Sequence, residues 1–195
     1  MTGSDTKAHI LDHAAALFNQ RGFAGTSMTD LMQATGLQKG GIYNHFNSKE
    51  ELAIAAFTHA VKAIQARFRV ALRRKQTAPD RLLALVEVYA TMLDDPPVPG
   101  GCPLLNTAID SDDQYPGLRK QTQEAMNAWR QLLIDIVQRG IAKGELRTDA
   151  EPNSIATVVI ATIEGGLMLS KLYGQPSYLH TALAHLTHYV MQLRP

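Results

Sequence analysis

The sequence of 195 residues has little cysteine: Cys102 is the only one, so no disulfide can form within the chain. A reducing compartment suits such a chain, and the first residues lack the basic and then apolar pattern of a secretory signal. Its most apolar stretch, residues 155–172, is interrupted by Glu164, two glycines and Lys171, which argues against a membrane span. We therefore expect a soluble, cytoplasmic protein with no membrane partner.

The sequence also lacks the period-two alternation that marks strands. Apolar residues recur instead at intervals of three and four, which predicts helices throughout. With 45% hydrophobic residues the chain can bury a proper core. Proline, glycine and capping residues divide the pattern into about nine helices, so we predict an all-α fold. The predicted bounds include Gln38 to His45, Lys49 to Lys75, Pro103 to Ile109, Pro152 to Tyr173 and Pro176 to Leu193, with further starts at Pro79 and Pro116.

Residues 26–52 contain the most informative pattern, a short helix followed by a tight turn and a second short helix. Ser27 and Asp30 form a predicted capping pair at the start of the first helix. Gly36 stands where that helix must end in a left-handed conformation. Such a helix-turn-helix holds its second helix at a fixed angle.

The second helix of this motif, predicted over Gln38 to His45, has few residues for a core. Ile42 is its one clear core residue before Phe46, and its other side chains are polar or absent. Ser48 and Glu51 then form a second capping pair, which begins a long helix. A short, polar, weakly buried helix held by a capped turn is what reading the DNA major groove requires.

Charge is unevenly distributed, although the net charge is only +1. Residues 1–75 carry ten Lys and Arg against five Asp and Glu, whereas residues 76–195 carry nine against thirteen. This asymmetry suggests that the front of the chain faces a polyanion. Five of the cations lie far from the turn, and solvation of a helix end explains them equally well. These five are Arg67, Arg69, Arg73, Arg74 and Lys75.

The segment from Thr6 to Leu52 resembles the N-terminal DNA-binding domain of the tetracycline-repressor (TetR) family. The matching features are Ala16-Leu17-Phe18, the Arg21-Gly22-Phe23 turn, Thr26 with Thr29, Ala34 with Gly36, and the strings KGGIYNHF and SKEEL. The resemblance implies an N-terminal three-helix DNA-binding domain at residues 1–50. It also implies a larger helical domain at residues 51–195 that binds a ligand and dimerises.

Carried over by position, the resemblance assigns DNA contacts to the second helix of the motif and to two flanking residues. The expected contacts are Thr29, Gln38, Lys39, Gly40, Gly41, Tyr43, Asn44, His45 and Lys49. Gln38, where the family often has a small hydroxyl residue, is expected to pair with adenine, and Lys39 with guanine or phosphate. The two glycines cost about 1 kcal/mol each relative to alanine, which makes sense if the backbone lies against the DNA.

The larger domain is expected to surround a small molecule with apolar walls and a few polar groups. The expected ligand contacts are Phe68, Tyr89, Cys102, Asn106, Trp129, Glu164 and Met168. The last two helices are expected to form a two-fold dimer interface. Its expected residues are Gly165, Gly166, Leu183, Leu186 and Val190. Position by position, plain core packing is the favoured explanation for most of the apolar residues expected around the ligand.

These expectations combine into a homodimeric transcriptional repressor that binds double-stranded, palindromic operator DNA and is released by a small-molecule effector. We expect no cofactor, no metal site and no enzymatic activity, because no histidine is close in sequence to partner Cys102 as a nucleophile. The alternatives are an activator, an architectural DNA-binding protein, and a repressor that senses electrophiles or oxidants through Cys102. A helix start beside Cys102 would favour its thiolate, although a small buried apolar role explains the residue as well.

Overall fold

The computed structural model describes residues 3–111 and 114–195, and these residues form nine helices and no strand. The all-α fold predicted from the apolar spacing is therefore confirmed. The helices are α1 (Gly3–Arg21), α2 (Met28–Thr35), α3 (Lys39–Tyr43), α4 (Lys49–Leu72), α5 (Ala78–Ala90), α6 (Pro103–Ser111), α7 (Pro116–Ala142), α8 (Pro152–Tyr173) and α9 (Ser177–Gln192).

Some helix ends agree with the sequence because capping residues determine them. α8 begins and ends where it was predicted to. The side chain of Glu151 accepts hydrogen bonds from the backbone N–H groups of Asn153 and Ser154, and Gly174 ends the helix with φ +65°. α5 begins one residue before Pro79, because the side chain of Thr77 accepts the N–H of Asp80.

Other helix ends shift by a few residues. α3 is shorter than the predicted 38–45, because Gln38 has an extended backbone with φ −72° and ψ 159° and a turn follows Tyr43. α4 ends at Leu72 rather than at Lys75. The N–H of Arg73 donates to the carbonyl of Val70, three residues back, so the helix has already tightened there.

The chain divides into two compact units. The first comprises Met1–Ile64 and Pro97–Ala125, and the second comprises Gln65–Pro96 and Met126–Pro195. The helices α4 and α7 each contribute to both units. The division at residue 50 that the sequence predicts lies at the start of α4 and stays a prediction.

The first unit has a single apolar core to which four helices and one loop contribute. α1 and α2 pack against each other, and α3 packs against α2. The buried residues are Ile10, Ala14 and Ala15 of α1, Leu31 of α2, Ile42 of α3, Phe46 between α3 and α4, Leu52, Ala56 and Ala60 of α4, and Val98. Since Ile42 and Phe46 both belong to this core, side-chain packing holds the C-terminal end of α3, and its start at Lys39 is exposed.

The segment that contains α6 completes the first unit by binding the end of α1. The amide nitrogen of Asn19 donates to the carbonyl of Gly101 at 3.0 Å, and the amide nitrogen of Asn106 donates to Asn19 Oδ1 at 2.8 Å. The backbone N–H of Phe23 donates to the carboxylate of Asp110 at 2.6 Å. These bonds join residues more than 80 positions apart in the sequence.

In the second unit, α9 packs against both α5 and α8. Among the described residues, α8 alone is long and apolar enough to cross a membrane by length and composition. One apolar face of α8 is buried, with Ile155, Ile163 and Leu167 at most 2% exposed, whereas other apolar residues of the helix are exposed.

Gly166 allows α8 and α9 to approach closely, which gives the first prediction. A Cβ on Gly166 would stand 2.7 Å from the Cβ of Ala182 and 3.2 Å from the Cα of Leu179, neither of which can rotate away. We expect Gly166→Ala to lower the free energy of unfolding by about 1–3 kcal/mol, as overpacking does. Denaturant unfolding at a fixed protein concentration measures this change.

The matched control is Gly165→Ala, which adds the same methyl group one residue earlier in the same helix. No atom of the same chain lies within 4 Å of a Cβ built there, so the higher helix propensity of alanine should leave the stability of the folded chain unchanged or raise it by up to about 1 kcal/mol. Because Gly165 lies on the outer face of α8, sedimentation velocity checks that both variants have the same oligomeric state. Equal destabilisation by the two substitutions would contradict the tight α8–α9 contact.

Candidate functional site

The turn between α2 and α3 is fixed by backbone conformation and by hydrogen bonds. Gly36 has φ +69°, which glycine adopts without strain. The hydroxyl of Thr35 donates to the carbonyl of Leu31 at 2.7 Å and accepts the N–H of Leu37 at 3.3 Å. His9 of α1 lies with Nε2 2.9 Å from the carbonyl of Thr35, so the end of α2 is also tied to α1.

The start of α2 has the predicted capping box. The side chain of Ser27 accepts the N–H of Asp30, and the Asp30 carboxylate accepts the N–H of Ser27. The hydrogen bond from the side chain of Ser27 is the main cause that lowers the pKa of Asp30. Arg21 pairs with this carboxylate at 3.1 Å, which links the end of α1 to the start of α2.

The start of α4 is capped in a similar manner, except that the carboxylate bonds the residue before the capping serine. The N–H of Glu51 donates to Ser48 Oγ at 3.0 Å, and the Glu51 carboxylate accepts the N–H of Asn47 at 2.9 Å. The latter bond chiefly lowers the pKa of Glu51. Both capping pairs predicted from the sequence are therefore present, and they determine where the chain enters and leaves the region around α3.

α3 presents its polar groups to solvent. Ile42 is 1% exposed, whereas the residues around it are exposed or half-buried. Gln38, Lys39, Gly40, Tyr43 and Asn44 are exposed, and Gly41 and His45 are half-buried. A Cβ on Gly40 would meet no atom within 4 Å, so the backbone there is open to close approach by another molecule. The structure thus brings together the residues that the sequence assigned to DNA contact in α3.

The flanking residues of the predicted DNA surface differ in their environment. Thr29 is exposed in the first turn of α2. Lys49 is half-buried, and its ammonium donates to the carbonyl of Phe23 at 2.6 Å and lies 4.3 Å from the centre of that ring. Burial lowers the pKa of Lys49, and the nearby Asp110 and Asp30 act in the opposite direction. Lys49 therefore holds the turn after α1, and its phosphate contact stays a prediction.

Lys7 was not identified from the sequence. Its ammonium lies 5.3 Å from the centre of the Phe46 ring, so it adds an exposed positive charge just beyond the end of α3. Lys7 is more than 30 residues from α3 in the sequence, so the sequence alone does not show that the two are neighbours. A cation on the exposed face of α1 was the only available signal.

Three of the predicted ligand contacts form an aromatic cluster in the second unit. The rings of Tyr89 and Trp129 are stacked with 5.5 Å between centres, and the ring of Phe68 lies 6.0 Å from Tyr89 and 6.2 Å from Trp129. In the part of the chain that the structure describes, the Nε1–H of Trp129 is buried and has no hydrogen-bond acceptor. Glu164 is buried in α8, and Met168 is 46% exposed.

The other two predicted ligand contacts, Cys102 and Asn106, belong to the first unit. Cys102 is 1% exposed, and its carbonyl accepts the N–H of Asn106 at 3.1 Å. The amide nitrogen of Asn106 also donates to the carbonyls of Asn19 and Gly100, at 3.0 and 2.9 Å. That nitrogen therefore joins α6 to α1, and a ligand contact of either residue stays a prediction.

Most of the residues predicted for a dimer interface are buried within the chain itself. Leu183, Leu186 and Val190 of α9 are at most 7% exposed, and Gly166 is covered by α9. The apolar periodicity of the sequence indicated that these residues are buried, but it did not indicate which helix covers them. A Cβ built on Gly165 would face open space. Gly165 belongs to a row of small and apolar residues that recur every three or four positions along one face of α8, here called the α8 row. The exposed members of this row are Val158, Ala161, Met168 and Leu172.

Sequence models of two families match the chain. The model described as "Bacterial regulatory proteins, tetR family" matches residues 10–56, which contain α2, the turn and α3. The model described as "Tetracyclin repressor-like, C-terminal domain" matches residues 78–186, more than half of the chain.

Solved structures and a curated relative are similar along nearly the whole chain. A TetR transcriptional regulator from Chloroflexus aurantiacus is 43% identical with a TM-score of 0.94, covering 97% of this chain and 96% of its own. A TetR-family regulator from Cytophaga hutchinsonii is 34% identical with a TM-score of 0.90, covering 100% and 97%. The transcriptional repressor NemR of Escherichia coli is 25% identical over 94% of this chain and 93% of its own.

Proposed function

We propose that this chain, which belongs to the TetR family of bacterial transcriptional regulators, represses transcription by binding a palindromic operator as a homodimer that a small-molecule effector releases. The observation that carries the proposal is the exposed α3, which is held by a capped helix-turn-helix at the position of the family's DNA-binding domain. Since transcriptional regulators of this family are not enzymes, no catalytic role is assigned to Cys102.

In this proposal α3 enters the major groove. Gln38 is exposed at its start, and its amide is suited to pair with adenine. The ammonium of Lys39 lies 5.6 Å from the centre of the Tyr43 ring, so the two side chains lie side by side on the same face of α3. Lys39 and Tyr43 together suit contact with guanine or with the phosphates beside it. Gly40 has no side chain to hold the backbone away from the DNA.

A homodimer explains how so short a helix reads a specific site. Two copies of α3 related by a two-fold axis would contact two half-sites of a palindrome, which doubles the base contacts. The row on α8 suits the dimer contact, because Val158, Met168 and Leu172 are exposed although they are apolar. An interface with two-fold symmetry buries the same row on both copies.

The aromatic cluster of Phe68, Tyr89 and Trp129 suits a reversible effector with an aromatic or apolar body. An acceptor atom on that molecule would satisfy the buried Nε1–H of Trp129, whose desolvation otherwise costs about 1–3 kcal/mol. Release of the operator requires that the effector binds the DNA-incompetent state more tightly than the DNA-bound state. The protein is expected to act in the cytoplasm, where its DNA target lies.

A sensor mechanism through Cys102 is the second candidate. Cys102 precedes α6, and the carbonyl of its neighbour Gly101 is bound by Asn19 of α1. A group added to the thiol would not fit a position that is 1% exposed, so it would displace the start of α6 from α1. The same low exposure slows the reaction with any electrophile.

The DNA-binding surface is tested by substitutions in α3. A binding site is first selected from random duplex DNA with the wild-type protein. Lys39→Ala should weaken binding and reduce the slope of log affinity against log salt by about 1. Gln38→Ala should reduce the discrimination between correct and incorrect bases at one base pair by about 1–3 kcal/mol of binding free energy. The control Lys62→Ala removes an exposed cation of α4 and should have no effect on base preference. Unchanged affinity and preference in both α3 variants would refute this assignment.

The dimer interface is tested by Ala161→Glu, which places a carboxylate in the α8 row. A two-fold contact would bring this charge against its own copy or bury it, so we expect monomers in sedimentation velocity and loss of operator binding. Ala90→Glu introduces the same group at an exposed position of α5 and should leave the dimer intact. A stable dimer of Ala161→Glu that still binds DNA would place the interface elsewhere.

Effector release is tested with a reversible ligand found by thermal-shift screening and, separately, with an alkylating quinone. If Cys102 is the sensor, the quinone should release the operator from the wild type and not from Cys102→Ser. Release of both proteins to the same extent would exclude the thiol mechanism. A reversible ligand should release both proteins, and Trp129→Phe should weaken its effect by removing the Nε1–H donor.

A further inference from the structure

A small cavity of about 100 Å³ lies in the second unit, where the start of α5 meets the end of α7. Gly140 permits this meeting, because a Cβ there would stand 2.4 Å from the Cβ of Ala78 and 2.8 Å from Leu146 Cδ1. The two helices therefore touch through a glycine and an alanine. Longer polar side chains from both helices and the following loop surround the space beside this contact.

The cavity has an excess of positive charge. Arg81, Arg139 and Lys143 line it, and Glu145 is the single carboxylate among its lining residues. Glu145 already accepts the backbone N–H of Ala78 at 2.7 Å, which fixes this carboxylate at the start of α5. None of the ion pairs found within residues 3–111 and 114–195 includes any of the three cations.

One of the cations is held in place by the backbone. Arg81 is half-buried and donates to the carbonyl of Lys75 at 3.4 Å, which restricts its guanidinium to the side of the cavity. Arg139 and Lys143 are exposed and lie four residues apart on the same side of α7 and its continuation. The three cations therefore approach one concave space from two elements.

We propose that this cavity binds a phosphate group, either as inorganic phosphate or as the phosphoryl group of a small metabolite. The planar donors of arginine match the oxygens of phosphate, and lysine adds a point charge. The volume is small compared with the about 300–1,000 Å³ of sites for drug-sized ligands, so one tetrahedral anion fits better than a nucleotide. No residue of the site belongs to α1–α3 or to the aromatic cluster, so the proposal is independent of the proposed function.

Calorimetric titration of the full-length protein in chloride buffer tests this site, with inorganic phosphate and glycerol 3-phosphate as separate ligands. We expect saturable binding to the wild type and at least about tenfold weaker binding to Arg139→Ala/Lys143→Ala, because charge-assisted hydrogen bonds are lost. The control Arg119→Ala/Lys120→Ala removes two exposed cations from the other end of α7 and should keep the wild-type affinity. Tighter binding of the ester would identify a metabolite as ligand, and equal or weaker binding would identify free phosphate.

A third variant is expected to bind phosphate more tightly than the wild type does. Glu145→Gln removes the only negative charge of the cavity and keeps an oxygen that accepts the N–H of Ala78, so phosphate binding should tighten severalfold. This variant decides the question if circular dichroism shows that Arg139→Ala/Lys143→Ala does not fold. The proposal is overturned by an absence of saturable binding to the wild type, by equal weakening in the two double variants, or by unchanged or weaker binding to Glu145→Gln.

Discussion

The burial of Ile42 and Phe46 in the first unit is the interaction on which the proposed DNA-binding surface depends. α3 has five residues, two of them glycines, and a helix of this length is unstable in water by itself. Burial of one isoleucine side chain contributes about 1.5–3 kcal/mol, more than the propensities of the remaining residues can supply. The exposed groups of α3 are therefore positioned by packing against α1, α2 and α4. Because this packing stabilises α3, its other side chains can be polar, as contact with DNA requires, without loss of the fold.

Features that depend on residues three or four positions apart were predictable from the sequence. Ser27 with Asp30 and Ser48 with Glu51 cap their helices as expected, and Gly36 ends α2 in the left-handed conformation. Each of these depends on a backbone group and a side chain that are neighbours in sequence. The apolar spacing likewise predicted the helices, although it overestimated the length of α3, where no side-chain cap holds the ends.

Features that join distant parts of the chain were not predictable. Lys49 was expected to contact DNA, and nothing in the sequence indicated that its ammonium binds the carbonyl of Phe23 across 26 residues. Asn106 looked suited to orient a ligand, whereas its amide nitrogen bonds Asn19 across 87 residues. The apolar residues of α9 were expected at a dimer interface, because periodicity does not distinguish burial within one chain from burial against a second copy. Leu186, for example, is fully buried within its own chain.

The hydrogen bonds between α6 and the end of α1 bear on how regulators of this kind can be recombined. The helices of the proposed DNA-binding surface do not form a module that ends at residue 56, because Asn106 and Asp110 bind Asn19 and Phe23 from a segment about 50 residues further along the chain. A chimaera joined at that point would combine the end of α1 from one parent with the α6 segment from another. Its success depends on whether these pairs still match, so residues 97–111 should be inherited together with α1, α2 and α3.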